Sequence, residues 1–192
     1  MQIVLKDGKS REVSEGMTAE DLANQLNLKM PHQALAAKIN GKVVDLSTPL
    51  KNGDEVTLLS FEDREGKEVF WHTSAHILAQ AVLRLFPNAK PTIGPPIENG
   101  FYYDFADLTI SDSDFEKIDA EMQKIAEENY VSKKESFKNK AEALKAFEHN
   151  KYKTELIESF DPASPLTGYR QGEFFDLCRG PHLPRLEIGR AS

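Results

Sequence analysis

A short apolar run closes Gln2 to Leu5, a polar stretch returns to the apolar Val13, and Asp7-Gly8 lies between them, which predicts two strands joined by a tight turn. Thr18 followed by Asp21 is a capping-box-like start, and Ala19, Leu22, Ala23 and Leu26 then form one apolar helical face. Ala34 to Ile39 alternates as a strand does, Asn40-Gly41 is a type I′ turn signal, and Glu55 to Leu59 follows an Asn52-Gly53 loop. The first sixty residues therefore predict the order β-β-α-β-β-β. Phe61 to Lys67 breaks the pattern with a charged stretch and reads as an interdomain linker, dividing the chain into residues 1–61 and 62–192.

Beyond it the period changes. Ala75, Ile77 to Ala79, Val82, Leu83 and Phe86 predict a helix from Val69 to Phe86, stopped by Pro87-Asn88. Strands are predicted over Thr92 to Gly94 and Phe101 to Phe105, joined through a Gly94-Pro95-Pro96 loop and an Asn99-Gly100 turn. Ser113 or Asp114 can cap a helix whose core stripe is Phe115, Ile118, Met122 and Ile125. A strand over Tyr130 to Phe137, a helix near Ala141 to Phe147, a segment Tyr152 to Phe160, and a Gln171-Gly172 turn into Glu173 to Leu177 complete the reading. The fold class is α+β: a small sheet-and-helix domain followed by a larger mixed domain.

Composition adds limits. The 192 residues are 40% hydrophobic, enough for packed cores. No apolar run approaches the roughly 20 residues that span a bilayer, so no membrane partner and a cytoplasmic address are expected. The formal charge of -7 argues against a broad electrostatic grip on nucleic acid. The run Lys133, Lys134, Lys138, Lys140 and Lys145 is interleaved with Glu135 and Glu142 and reads first as a solvated face. A single cysteine, Cys178, excludes an internal disulfide.

That cysteine belongs to one of two compact motifs. His72 and His76 are four apart on a predicted helix, so both imidazoles share a face. Cys178-Arg179-Gly180-Pro181-His182 supplies a second pair in an irregular turn. Together they make a quartet of the types and number that suit tetrahedral zinc, or a metal-free acid–base site; only His32 and His149 fall outside. Taken singly, each histidine is as well explained as a satisfied core or surface residue. Asp176 precedes Cys178 by two strand positions and shares its face, where it can orient an imidazole, although a plain strand-end role fits too. Tyr102, Tyr103 and Asp104 should alternate faces, one tyrosine lining a pocket. Pattern alone makes Lys153 an exposed lysine at a helix start.

Trp71-His72-Thr73-Ser74-Ala75-His76-Ile77-Leu78 resembles the helix motif of threonyl- and alanyl-tRNA synthetase editing domains. Ile93 to Asp104, reading IGPPIENGFYYD, and Asp176 to His182, reading DLCRGPH, resemble the bacterial threonyl family specifically. The first sixty residues resemble its TGS domain, a β-grasp module. The resemblance covers the chain in the right order. It implies that His72, His76, Cys178 and His182 border an editing pocket and that Lys153, Asp176, Tyr103 and Asp104 match further pocket residues, which gives Lys153 a role that pattern does not. Alanyl editing domains hold zinc on such a quartet, whereas the bacterial threonyl site works without one. No metal and no cofactor are therefore expected for editing, with zinc on the quartet as the lesser alternative. ATP and zinc belong to a catalytic domain whose class II motifs are absent up to the Ile188 to Ser192 terminus.

The implied activity is hydrolysis of the ester of serine wrongly attached to threonine tRNA, sparing threonine. The implied partners are the 3′ end of that tRNA, the remainder of the synthetase chain and, for the full enzyme, a second copy. A missing methyl changes binding by only about 1–3 kcal/mol, so a second sieve is needed. Tyr103 and the Gly94-Pro95-Pro96 loop are candidates for the wall that excludes threonine. His72 is the candidate base for water, His182 or Lys153 the donor toward the oxyanion or leaving hydroxyl, and Cys178 a wall contact rather than a covalent nucleophile. Two other readings stay open: an RNA-binding module whose quartet is a structural zinc knot, and a free-standing deacylase.

Overall fold

The computed structural model describes residues 1–28, 32–161 and 163–186; the terminal segment Ile188 to Ser192 lies outside them. It has two compact units, Met1–Trp71 with Gly180–Pro184, and His72–Arg179 with Arg185 and Leu186. No helix among the described residues is long and apolar enough to cross a membrane.

In the first unit the strands are β1 (Gln2–Leu5), β2 (Ser10–Glu12), β3 (Ala36–Ile39), β4 (Lys42–Val44) and β5 (Glu55–Leu59), with helix α1 (Ala19–Leu26) after β2. The order across the sheet is β2-β1-β5-β3-β4, with β1 and β5 parallel and the other pairs antiparallel. The predicted sequence of elements is the observed one, for local reasons that the residues carry. The Thr18 hydroxyl accepts the Asp21 N–H at 3.1 Å while Asp21 accepts the Thr18 N–H at 2.9 Å, closing the capping box. Asn40 and Gly41 have φ of 49° and 81°, the two positive values a type I′ turn requires. Ala19 and Leu22 of α1 are fully buried with Ile3, Ala37 and Val56 of the sheet, which fixes the helix on one face.

Helix α2 (Arg64–Leu85) begins inside the charged stretch that reads as a linker. Asp63 accepts the Ser60 N–H at 2.8 Å and hydroxyl at 3.1 Å, and Arg64 pairs with Glu68 at 3.1 Å. Mixed charges at i,i+4 favour helix as readily as linker, and hydrophobic period alone cannot tell them apart.

In the second unit the predicted strands do not form as drawn: Thr92 to Gly94 lies in no strand, and Phe101 and Phe105 fall in separate two-residue strands. Strand β6 (Lys90–Pro91) pairs with β9 (Phe105–Ala106), and β7 (Pro96–Ile97) with β8 (Gly100–Phe101). Pro91, Pro95 and Pro96 have no N–H to give a ladder, so pairing survives only in fragments. Between them the Thr92 N–H reaches the Asp104 carbonyl and the Asp104 N–H the Ile93 carbonyl, both at 2.9 Å. Helix α3 (Asp112–Glu128) starts after Ser111, not Ser113 or Asp114: the Ser111 N–H and hydroxyl donate to Asp114 at 3.0 and 2.9 Å. Ile118 and Ile125 of its stripe are buried and Met122 partly so, but Phe115 is 57% exposed because the core ends a turn short of it.

Strands β10 (Lys133–Ser136), β11 (Thr167–Gln171) and β12 (Phe174–Leu177) form an antiparallel sheet, with helices α4 (Lys140–Ala146) and α5 (Lys151–Ser159) between β10 and β11. Ala143, Phe147, Ile157 and Leu166 make their core. Arg84 joins α2, α3 and the β11–β12 turn through Glu121, Glu128 and Glu173 at 3.0, 2.7 and 2.6 Å. The guanidinium holds Glu173 at about 2, against an ordinary 4.5, and lowers Glu121 and Glu128 as well. Groups lowered in this way stabilise the fold above their ordinary value and lose that contribution as the pH falls toward the folded value. Thermal melts taken at falling pH from 4.5 toward 2 should therefore drop more for the wild type than for Arg84→Met. Equal drops would show that Arg84 does not hold these carboxylates.

Candidate active site

The second unit presents one polar row along α2. His72, His76, Gln80 and Arg84 recur every fourth residue and so lie on one face of the helix. Each meets a partner at or after β11 and β12. The His72 Nε2 is 3.3 Å from the Cys178 Sγ, and the His76 ring stands edge-on to Phe174 at 5.5 Å. The Gln171 amide donates to the Gln80 carbonyl at 2.9 Å, and the Gln80 amide to Glu173 at 2.9 Å. The two imidazoles are 5.4 Å apart, nearly perpendicular. The i,i+4 spacing thus identifies a real pair, and the middle of the row, His76 and Gln80, is buried.

At the His72 end of the row lies a cavity of about 370 Å³, which His72, His76, Tyr103, Lys153, Asp176 and Cys178 help to line. Asp176 is its hub. The Lys153 Nζ is 2.6 Å from one carboxylate oxygen, which also accepts the Leu177 N–H at 2.8 Å. The Tyr103 hydroxyl donates to the other oxygen, and the His76 Nε2 lies 3.9 Å from it. Lys153 and Asp176 are each only 3% exposed. Burial pushes His76 well below its ordinary 6.5, with the charges of His72 and Lys153 adding to it, so its imidazole is neutral. Burial, then the Asp176 charge, raises Tyr103 well above 10 and keeps it protonated.

Pattern made Lys153 an exposed helix-start residue; the structure buries it. The reason is a partner that helical spacing cannot reveal, the Asp176 carboxylate on β12. Asn150, which sequence reasoning passed over, fixes the helix that carries Lys153: its Oδ1 accepts the Tyr152 and Lys153 N–H groups at 3.1 and 3.4 Å, and its Nδ2 donates to the Pro91 carbonyl at 2.8 Å. Asn150 is 2% exposed. The N-cap preference of asparagine was its only local signal.

Gly94 and Pro95 line the cavity on the side of Tyr103. A Cβ on Gly94 would sit 2.2 Å from the Tyr103 ring, so the glycine is there to let the ring lie flat against the backbone. Tyr103 and its neighbours lie between β8 and β9 rather than in one strand, yet Tyr103 turns inward while Tyr102 is 44% exposed. Asp104 is exposed, outside the lining, and serves through its backbone. His182 belongs to the first unit, where it is 2% exposed and its N–H donates to Asp45 at 3.0 Å. The donor atoms of His72, His76 and Cys178 lie within 4.8 Å of one another, and they are of types able to ligate a metal ion.

Residues 1–60 match the TGS domain family. The chain is 67% identical over 183 residues, 95% of its length, to the threonine–tRNA ligase of Protochlamydia amoebophila (strain UWE25). It is 52% identical over 178 residues, 93% of its length, to that of Chlamydia pneumoniae. It is 47% identical over 194 residues, all of its length, to that of Caldanaerobacter subterraneus subsp. tengcongensis. In these matches the chain spans 28–30% of the length of the curated relatives.

Removing one member of the buried pair should cost far more than removing both. Lys153→Met leaves the buried Asp176 carboxyl without its cation and should destabilise by about 3–5 kcal/mol, and adding Asp176→Asn should recover most of it. Urea denaturation of the single and double variants measures this. An additive double variant would mean that the two charges do not depend on one another.

Proposed function

Because the chain belongs to the threonyl-tRNA synthetase family, we propose that its second unit is an editing hydrolase, which cleaves the ester of serine on threonine tRNA and spares threonine. The observation that carries this reading is the cavity of about 370 Å³ in which His72 and Cys178 stand beside the buried Lys153–Asp176–Tyr103 cluster. Such a space admits an amino-acid ester and offers it a base, a cation and a carboxylate.

Hydrolysis needs a water aimed at the ester carbonyl. His72, less buried than His76, takes the proton of the attacking water as its oxygen bonds to the carbonyl carbon. The carbon–oxygen bond to the ribose then breaks and the proton passes to the leaving ribose hydroxyl. Lys153 places its ammonium where the oxyanion develops, and Asp176 holds that ammonium and faces the substrate amine. His76, neutral and buried, orients its neighbours rather than shuttling protons. The flat contact of Tyr103 on Gly94 is the wall that meets the extra methyl of threonine. The setting we propose is cytoplasmic, on the 3′ end of threonine tRNA, with the remainder of the ligase chain and a homodimer of it.

A second reading is favoured by one observation, the clustered ligand types of His72, His76 and Cys178, three of the four residues of the zinc alternative. A zinc ion held there would supply Lewis-acid chemistry or a structural tie.

Release of serine and of threonine from threonine tRNA charged with each tests both readings, on this chain and on the same residues joined to the rest of the ligase. Selective serine release that survives chelator and falls at least a hundredfold in His72→Ala is the expected result. Release lost to chelator and restored by zinc would favour the second reading. A folded wild type that releases neither amino acid, in either context, would leave an RNA-binding module. Gly94→Ala, by forcing Tyr103 off its seat, should raise threonine release relative to serine, measured in the same assay.

A further inference from the structure

Leu156, Leu177, Cys178 and Arg179 line both the site cavity and a second cavity of about 190 Å³, so the two adjoin. The second lobe is walled by Phe160, Pro165, Leu166 and Thr167. At the junction the Arg179 guanidinium lies over the Phe160 ring, 5.1 Å from its centroid. One face of that planar cation is therefore seated on an aromatic ring, while the side chain as a whole is exposed. Two other arginines of the unit are neutralised, Arg84 by Glu121, Glu128 and Glu173, and Arg170 by Glu135 at 2.6 Å. Arg179 is in no ion pair among the described residues. A flat, uncompensated cation beside an apolar lobe, in a chain of net charge -7, is a recognition feature rather than a stabilising one.

We propose that the free face of Arg179 stacks a nucleobase of the single-stranded RNA end whose ester enters the neighbouring cavity, with the lobe beneath it receiving that nucleotide. The inference rests on the hydrolase reading above and adds the position of the RNA to it. Guanidinium planes and aromatic rings are the usual seats for unstacked bases, and an end bearing phosphates is drawn to a cation that no carboxylate has already neutralised. Phe160 acts through Arg179, holding the guanidinium plane in place. The exocyclic groups of the base are not distinguished by such a contact, so the lobe serves placement rather than sequence readout.

The test compares two esters of serine, threonine tRNA charged with serine and serine methyl ester, hydrolysed by the wild type, Arg179→Ala, Arg179→Lys and Phe160→Leu. Loss of a base stack corresponds to about a tenfold or larger weakening. For Arg179→Ala the KM for the charged tRNA should rise about tenfold more than that for the methyl ester. Arg179→Lys, which keeps the charge and loses the plane, should recover less than half of that difference, and Phe160→Leu should resemble it. Equal changes on the two esters, or full recovery by lysine, would overturn the stacking role while leaving the hydrolase standing. A wild type inactive on both esters would overturn the two together.

Discussion

Lys153 and Asp176 are buried against one another, and each must find its partner there. A buried polar group left without partners costs free energy, whereas here the Tyr103 hydroxyl and the Leu177 N–H join the Lys153 Nζ in completing the contacts of the Asp176 carboxylate. Much of the second unit is arranged around that requirement. Helix α5 must start where Lys153 can reach, β12 must end with Asp176 facing inward, and the backbone between β8 and β9 must turn Tyr103 rather than Tyr102 toward them. The arrangement places a fixed positive and a fixed negative group at the edge of a space of substrate size.

The second organiser is the row of polar residues on α2. Gln80 and Arg84 fix the helix on β11, the β11–β12 turn and α3 through amide and ion-pair contacts, and His76 and His72 extend the same row into the cavity. Stability and chemistry are thus successive positions on one helix face. The gradient along it runs from a solvent-touched arginine network to a buried neutral imidazole, and then to a less buried histidine beside a thiol.

Much of this was legible in the residues. The capping box at Thr18, the Asn40-Gly41 turn and the His72/His76 spacing are local signals, decided within a few positions, and the structure agrees with each. The pairing of Cys178 with His72 needed only that two motifs be brought together. What escaped was non-local or backbone-borne. Lys153 looked like a surface lysine because its partner lies on another element. Asn150 looked like an ordinary cap because its second bond crosses to Pro91. The strands flanking Gly94 were overdrawn because prolines keep an extended backbone while removing the donors that would make it a ladder.

Asn150 carries a consequence for how the pocket can vary. One side-chain amide grips the first turn of α5 with its oxygen and the end of β6 with its nitrogen, so the lysine and the strand leading into the proline wall hang from the same peg. Any drift of the wall drags the ammonium with it. The shape that sorts substrates and the charge that acts on them are thereby geared together, and a lineage that retunes one must carry the other along or first replace the peg.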